Sequence, residues 1–543
     1  MQPPEFPKGV GQLHRDDINW TDTGVFWADV CQTEEEGEVL SPRDHVPAFN
    51  PDKDSSSYDV VVVGAGYSGL STARELAKAC PSLSICLLEA DYCGYGASAR
   101  NSGFLNASCV YHDPHQLLKT LGVEKGKKVA EFARSSVQNV KDMIEENKIE
   151  CDLDKDCGIA YPAIDDAQMK HAKEMAKAAE MLGSPSGEIW DEATAVEKLG
   201  STLFKGAWLD PTGSHVNPFK LVRGLLKKTV LCHDNVNYFE HTRLAGYPRR
   251  AQKNKSTPVE GNGHSTSKPR RLLVPIETKE RGQMEINADA VFLCTNAYSE
   301  GPLSKYYCPL HVYTIVTEPL SEKQLELLGK GKAGWYSLHH ILFAFRRTAD
   351  NRLLVSSGDV RYYRKDKRHV RNSPHTYQFL RDALAWFYPE LANVAISNAW
   401  EGVVAGNFDD QPTVGRGSHP YTYHALGYAG HGVALANSIG KVLKDLYLQD
   451  TGELPKDEAT KYTSLPFVCK KFYILMPGEP FRKLIDIAYV NILRWLDGFN
   501  NKRVARAERL EQAALSEKEG LLIPPRPKAP WATLANCCND KAD

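Results

Sequence analysis

Four residues in the first part of the chain have the types and spacing to hold a phosphate and a ribose. Gly64, Gly66 and Gly69 stand at G-x-G-x-x-G spacing in YDVVVVGAGYSG, residues 58–69, and Glu89 follows in CLLEAD. Gly64 allows a tight turn, Gly66 lets backbone approach a pyrophosphate, and Gly69 lets a helix pack closely on a strand. A carboxylate ending the next strand can accept hydrogen bonds from an adenosine ribose. This chemistry demands particular elements around it. Residues 59–63 read as a β-branched strand, 70–78 as the helix whose N–H groups and dipole face the phosphates, and 84–88 as the second strand. The glycine spacing alone is weak evidence. Strand, turn, helix, second strand and terminal acid within about thirty residues are strong evidence together. A βαβ unit without a nucleotide is the competing reading.

Three further segments point past a bare nucleotide fold. Residues 94–104, GYGASARNSGF, are rich in Gly, Ala and Ser, so backbone can approach a flat ring, and Arg100 supplies positive charge. Residues 289–299, DAVFLCTNAYS, read as a strand ending in a polar turn. Residues 423–446 read as a strand and glycine-rich turn leading into a helix that starts near Gly432.

With these motifs the chain resembles the FAD-dependent D-amino-acid oxidase superfamily, and within it the γ-glutamylputrescine oxidoreductase-like branch. Four segments carry the likeness in the same order: 58–70, 96–103, 346–358 and 427–432, within roughly residues 58–448. The resemblance implies an α/β fold, a Rossmann-like FAD-binding domain interrupted by a mixed α/β substrate domain with an antiparallel sheet. It implies that Gly64, Gly66, Ser68, Gly69, Glu89 and Ala90 hold the ADP half. Ser98, Arg100, Asn101, Ser102 and Gly103 would line the isoalloxazine and ribityl region. Leu244 would touch the adenine side, and Asn296 and Ala297 would border the same pocket. Gly430, His431, Gly432 and Val433 would sit at the flavin pyrimidine edge, where a helix N-terminus stabilises the negative charge that reduction brings. For His431, either the side chain or only the backbone N–H serves this edge.

The family chemistry is oxidation of the C–N bond of an amine or amino acid, with hydride transfer to flavin N5 and hydrolysis of the imine. Oxygen or another acceptor then takes the electrons. No side-chain base is obligatory. Arg346 is the candidate polar substrate contact; alternation along the strand puts Arg347 on the opposite face, and an ordinary edge-strand arginine is the other reading for both. Trp335, Tyr336, His339 and Trp400 either wall the site or pack in the core. Sarcosine-oxidase-like members attach flavin through a cysteine where WEGVVAG, residues 400–406, carries Gly402. Non-covalent FAD is therefore expected. Ala99 and Ser102 replace glycines common in the nearest branch. A non-catalytic flavin-binding protein or assembly factor is the alternative function. An NAD-dependent dehydrogenase would not need the 94–104 loop and the 423–446 turn together.

The 543 residues carry a net charge of −2, which gives no sign of a general affinity for nucleic acid or anionic lipid. The 13 cysteines show no metal-type pairing, so no metal is expected, and they read as reduced thiols of a cytoplasmic protein. No apolar run reaches the length of a membrane span. Spacing predicts helices over 119–147, 165–182 and 217–228, the last capped by Asn217 with Pro218 at its first position. Residues 249–271 read as a solvated loop, 288–295 as a strand and 311–360 as an antiparallel sheet.

The expected organisation is an N-terminal extension, 1–57, whose Trp20, Phe26 and Trp27 point to packing on the body. A discontinuous FAD-binding domain covers 58–110, 205–300 and 396–448, with the substrate domain at 111–204 and 301–395. A helical extension and tail fill 449–543. Within it, 481–499 has one broad apolar face and an arc of Arg482, Lys483, Asp486, Arg494 and Asp497. That face suits the catalytic domain, a second subunit or a membrane surface.

Overall fold

The computed structural model describes residues 25–33, 46–108, 113–251, 272–362, 373–407, 409–455, 460–470, 475, 492, 493 and 497. The β-branched run Ser57–Val63 is buried along most of its length and lies inside a nine-stranded sheet. Ile85–Leu88 pairs with it in parallel on one side and Gly282–Leu293 on the other, and Val236–Phe239 continues the parallel order beyond Ile85–Leu88. The long strand Gly282–Leu293 has two partners along its far edge. Leu272–Thr278 runs antiparallel beside its first half, and Thr422–Leu426 runs parallel beside its last three residues. The chain thus returns to this sheet near the end of the family-like region, which brings two distant glycine turns to the same sheet edge.

A second, eight-stranded sheet runs in the order Ile396–Gly406, Cys308–Thr317, Leu353–Arg361, Phe343–Arg347, Gly334–Tyr336, Ile159–Ala163, Gly206–Asp210 and Glu188–Trp190. All its pairings are antiparallel except that of Gly334–Tyr336 with Ile159–Ala163. The expected α/β nucleotide unit and antiparallel second sheet are both present. Two strands change sides relative to the sequence boundaries. Gly206–Asp210 and Ile396–Gly406, assigned above to the FAD-binding domain, hydrogen-bond into the second sheet. Their apolar alternation fits either sheet, and only long-range pairing decides which.

The helices begin where the caps predict. Asn217 accepts from the Phe219 and Lys220 N–H groups ahead of Pro218–Leu225, and Asp165 caps Asp166–Met181 through the Gln168 N–H. Pro114–Glu146 covers the 119–147 expectation, with a non-helical Gly122 inside it. Helices Tyr67–Ala79 and Gly432–Thr451 touch backbone to backbone: a Cβ on Gly440 would lie 2.3 Å from the Ser71 carbonyl. The Gly440 N–H donates to Ser71 Oγ at 3.1 Å, and Ser71 Oγ donates to the Asn437 carbonyl at 2.7 Å.

Part of the N-terminal extension does pack on the body. Phe26–Thr33 is a helix, and Phe26 and Trp27 are buried, while Trp20 lies outside the described residues. So does almost all of the 249–271 loop and of 481–499. Among the described residues no helix is long and apolar enough to cross a membrane.

Candidate active site

One cavity of about 950 Å³ is lined by residues of both sheets, and Gly66 and Gly432 both contribute to it. At the first turn, Gly64 has φ +98°, and a Cβ there would sit 2.8 Å from the Cys294 carbonyl oxygen. A Cβ on Gly69 would lie 1.7 Å from the Gly64 carbonyl oxygen, so this turn tolerates no side chain at that position. The N-terminus of Tyr67–Ala79 opens on the cavity, and the Tyr67 N–H donates to Ser98 Oγ at 3.0 Å. Glu89 braces the turn by accepting from the Ala65 N–H at 2.8 Å and the Asp91 N–H at 3.0 Å. Burial pushes its carboxyl up to about 7 against the pull of those two N–H groups. Each of its oxygens keeps a second lone pair for a sugar hydroxyl.

The loop through Gly94 and Gly103 is held from behind. Arg100 donates to the Tyr95 carbonyl at 2.8 Å and the Glu401 carbonyl at 3.2 Å. Gly402 leaves room for this packing, since a Cβ there would be 3.1 Å from Arg100 Cβ. Asn101 Oδ1 accepts the Gly103 N–H, and the Asn101 carbonyl accepts from the Trp27 indole at 2.9 Å.

Arg346 also serves this loop. Its Nη1 donates to the carbonyls of Ser102 at 3.2 Å, Gly103 at 3.0 Å and Val216 at 2.9 Å, and its guanidinium lies 5.3 Å from the Trp27 ring. Burial pushes this guanidinium down to about 10.

The second glycine turn closes the other side. Gly427 and Gly430 have φ +81° and +91°, and His431 ends the turn as the residue before helix Gly432–Thr451. Asn296 Oδ1 accepts the Gly427 N–H at 3.0 Å, tying this turn to the end of Gly282–Leu293. Ser68 Oγ and Tyr428 Oη are 2.5 Å apart, which ties it to the phosphate helix. Both helix N-termini therefore face one volume, as an extended anionic ligand requires.

Beyond the turns the cavity is walled by the second sheet, through residues such as Leu310, Val312, Thr314, Val360 and Val404. Tyr336 and the 339–342 loop flank this part. Leu493 lines it as well, and Asp497 accepts from the His340 N–H at 2.8 Å and the Ile341 N–H at 3.0 Å. Asp497 is buried, so it is not part of the solvated arc drawn from a helical wheel. Asp410, on the loop after Ile396–Gly406, is the remaining carboxylate of the wall.

Of the residues singled out by sequence, Gly64, Gly66, Ser68, Glu89, Ala90, Ser98, Arg100, Asn101, Ser102, Leu244, Asn296 and Gly430 through Val433 line this cavity. Gly69, Gly103, Ala297 and Arg346 do not. Gly69 and Gly103 permit close backbone packing, and the Ala297 carbonyl accepts from Tyr307 Oη. Arg346, expected to contact substrate, bonds through Nη1 to three carbonyls of the neighbouring loop and strand and is not among the residues that line the cavity. Arg347 is exposed and donates to Asn351.

Tyr336 and His339 reach the cavity, whereas Trp335 stacks on Phe345 and Trp400 donates to the Arg100 carbonyl. Sequence reasoning passed over Tyr428, Asn407, Asp410 and Leu493. Tyr428 and Asn407 lie beside motifs already identified, Leu493 lies in the apolar 481–499 segment, and Asp410 carried no signal.

Elsewhere, Asp154, Cys157 and His215 bring donor atoms within 4.8 Å of one another behind the Phe104 ring. Burial pushes the Cys157 thiol up to about 12 and His215 well below its ordinary value, so both are neutral and lie 3.3 Å apart as a hydrogen-bonded pair.

The lining fits FAD. A Cβ at Gly66 would meet Ser98 Oγ at 2.8 Å, while Gly430 faces open space, so the cradle is formed by backbone at both turns. The profile of the family described as FAD dependent oxidoreductase (DAO) matches residues 59–446. A probable oxidoreductase OrdL of Haemophilus influenzae is 29% identical over 417 residues, covering 75% of this chain and 86% of that protein. The γ-glutamylputrescine oxidoreductase of Escherichia coli is 28% identical, covering 74% of this chain and 86% of that protein. Among solved structures, a glycine oxidase of Geobacillus kaustophilus superposes with a TM-score of 0.59 at 17% identity, covering 77% of this chain and all of that one.

Proposed function

The chain belongs to the FAD-dependent oxidoreductase (DAO) family, and on that premise we propose that it oxidises the C–N bond of an amine or amino acid. The observation that carries this reading is the single cavity that joins the two glycine turns and continues into a chamber under the second sheet. The name of the γ-glutamylputrescine oxidoreductase relative supports the same reaction class.

Bound FAD supplies the hydride acceptor, which no side chain of the lining could provide. The chain's own residues bind, orient and exclude water. Gly64, Gly66 and the N-terminus of Tyr67–Ala79 hold the pyrophosphate, and Glu89 takes the ribose hydroxyls. Arg100 and Arg346 hold the 94–103 loop that would border the cofactor's ring. The N-terminus of Gly432–Thr451 directs positive potential at the cofactor edge where charge collects on reduction. The apolar wall keeps water from the reacting carbon, and its sheet origin makes that wall rigid.

FAD is held without a covalent bond at the position occupied here by Gly402. Acid precipitation of the protein tests this: yellow colour leaves with the supernatant, and colour retained in the pellet overturns it. The reaction itself is tested by an anaerobic screen of amines and amino acids for bleaching of the flavin bands. Bleaching supports the proposal. Retained yellow colour with every amine and amino acid tried favours a non-catalytic flavin-binding protein.

A further inference from the structure

The part of the cavity under the second sheet carries a polarity that the cofactor does not require. Its wall is apolar at Leu310, Val312 and Val360, and Leu493 adds to it from the far end of the chain. Among the described residues this wall contains no lysine or arginine. The two guanidiniums that could have served it are committed elsewhere, Arg100 to the Tyr95 and Glu401 carbonyls and Arg346 to the carbonyls behind the 94–103 loop.

One carboxylate does join the wall. Asp410 lies on the loop between Ile396–Gly406 and Thr413–Arg416, beside Asn407, which donates to the Gly427 carbonyl of the second glycine turn at 3.4 Å. The other carboxylates of the lining, Glu89, Asp91 and Glu300, belong to the opposite end, which they share with Ala90 and Leu244. The neighbouring acid makes an instructive contrast. Asp409 is ion-paired with Lys470 at 2.9 Å and accepts the Gln411 N–H, whereas no described residue hydrogen-bonds or pairs with the Asp410 carboxylate.

A half-buried acid without a cation attracts one, and the same surroundings repel an anion. Burial, with the charge of Asp409 beside it, pushes the Asp410 carboxyl up to about 6, the behaviour of a carboxylate awaiting a partner. An α-amino acid would bring its own carboxylate to a wall that offers it no donor cation. An amine with a hydrocarbon body would match both the acid and the apolar surface.

We propose that Asp410 binds the substrate nitrogen, and that the substrate is an amine with an apolar body and no carboxylate beside the reacting carbon. This rests on the proposed amine or amino-acid oxidation and narrows it.

The test uses the full chain with FAD and separates binding from turnover. Cumylamine has no hydrogen on the carbon bearing nitrogen, so it reports binding through the flavin spectrum without reducing it. We expect saturable binding of cumylamine and at least ~10-fold weaker binding of 3-phenylpropionate, as a desolvated charge contrast of this kind gives. Asp410→Asn and Asp410→Gly should each weaken cumylamine at least ~10-fold while leaving FAD content and thermal stability unchanged. Both replacements suit the Asp410 backbone, whose φ is +45°.

In parallel, phenethylamine should reduce the flavin at least ~100-fold faster than phenylalanine, the same body with an added carboxylate, because the wall leaves that carboxylate unpaired. Equal binding of the anion, unaltered cumylamine affinity in both variants, or no cumylamine binding at all overturns the inference. Cumylamine binding that depends on Asp410, with no flavin reduction by any amine, would instead sink the proposed reaction and leave the binding assignment standing.

Discussion

At the first glycine turn the cavity is lined largely by backbone. Gly64, Gly66 and Gly69 are there for the side chains they lack, and the groups they present are N–H donors and a helix dipole. Under the second sheet the cavity is lined by side chains from five strands, two loops and Leu493. The first end recognises what every dinucleotide shares. The second recognises whatever this particular chain takes, and its composition is free to vary strand by strand without loss of fold. The difference teaches that a cofactor site and a substrate site in one cavity obey different substitution rules.

The sharpest way to break this comparison is to add one methyl group at the phosphate end. Gly69→Ala places a Cβ 1.7 Å from the Gly64 carbonyl oxygen, an overlap that costs more than the ~3 kcal/mol of ordinary overpacking. FAD per mole of protein, read from the flavin absorbance, should fall close to zero, or soluble protein should be lost.

Next in size is Arg346→Ala. It removes the guanidinium donor from the Ser102, Gly103 and Val216 carbonyls, of which Gly103 keeps the Val216 N–H, at a cost of about 1–3 kcal/mol for each acceptor left unsatisfied. Thermal melting and FAD retention should both drop. A rise in KM for one substrate, with melting unchanged, would return Arg346 to the substrate side.

A pH series separates the two ends without mutation. Asp410 is ionised above about 6 and protonated below it, so affinity for a cationic amine is present above that value. It should decline about tenfold per pH unit below it, because only the charged acid attracts the ammonium. Asp409, beside it in sequence, is paired with Lys470, and His339, His340 and His431 line the same cavity. Asp410→Asn should flatten the profile, and FAD affinity should not follow it.

The smallest expected effect is that of Asp497→Asn. It weakens two charge-assisted bonds to the His340 and Ile341 N–H groups, worth about 1–2 kcal/mol locally. KM should rise several-fold with flavin content unchanged.

The same division explains how much of the molecule was legible in the sequence. The phosphate turn and its acid could be read because glycine spacing, strand and helix lie within one short stretch, and each glycine has a local steric reason. The 427–432 turn could be read for the same reason. For Arg346, alternation tells which face of a strand a residue occupies but not what lies across that face; here it is a loop. Gly206–Asp210 and Ile396–Gly406, placed by sequence within the FAD-binding ranges, hydrogen-bond into the second sheet, a pairing that residues distant in sequence decide. Asp410 could not be found at all. It is an ordinary residue type in an ordinary context, and only the tertiary fold brings it to the cavity.

The hook that Asp497 makes on the 340–341 backbone has a bearing on how this protein is born. Residue 497 is synthesised after both sheets, so truncation before it removes the acceptor that fastens the 340–341 backbone, just as loss of the N-terminal helix removes the Trp27 donor to the Asn101 carbonyl.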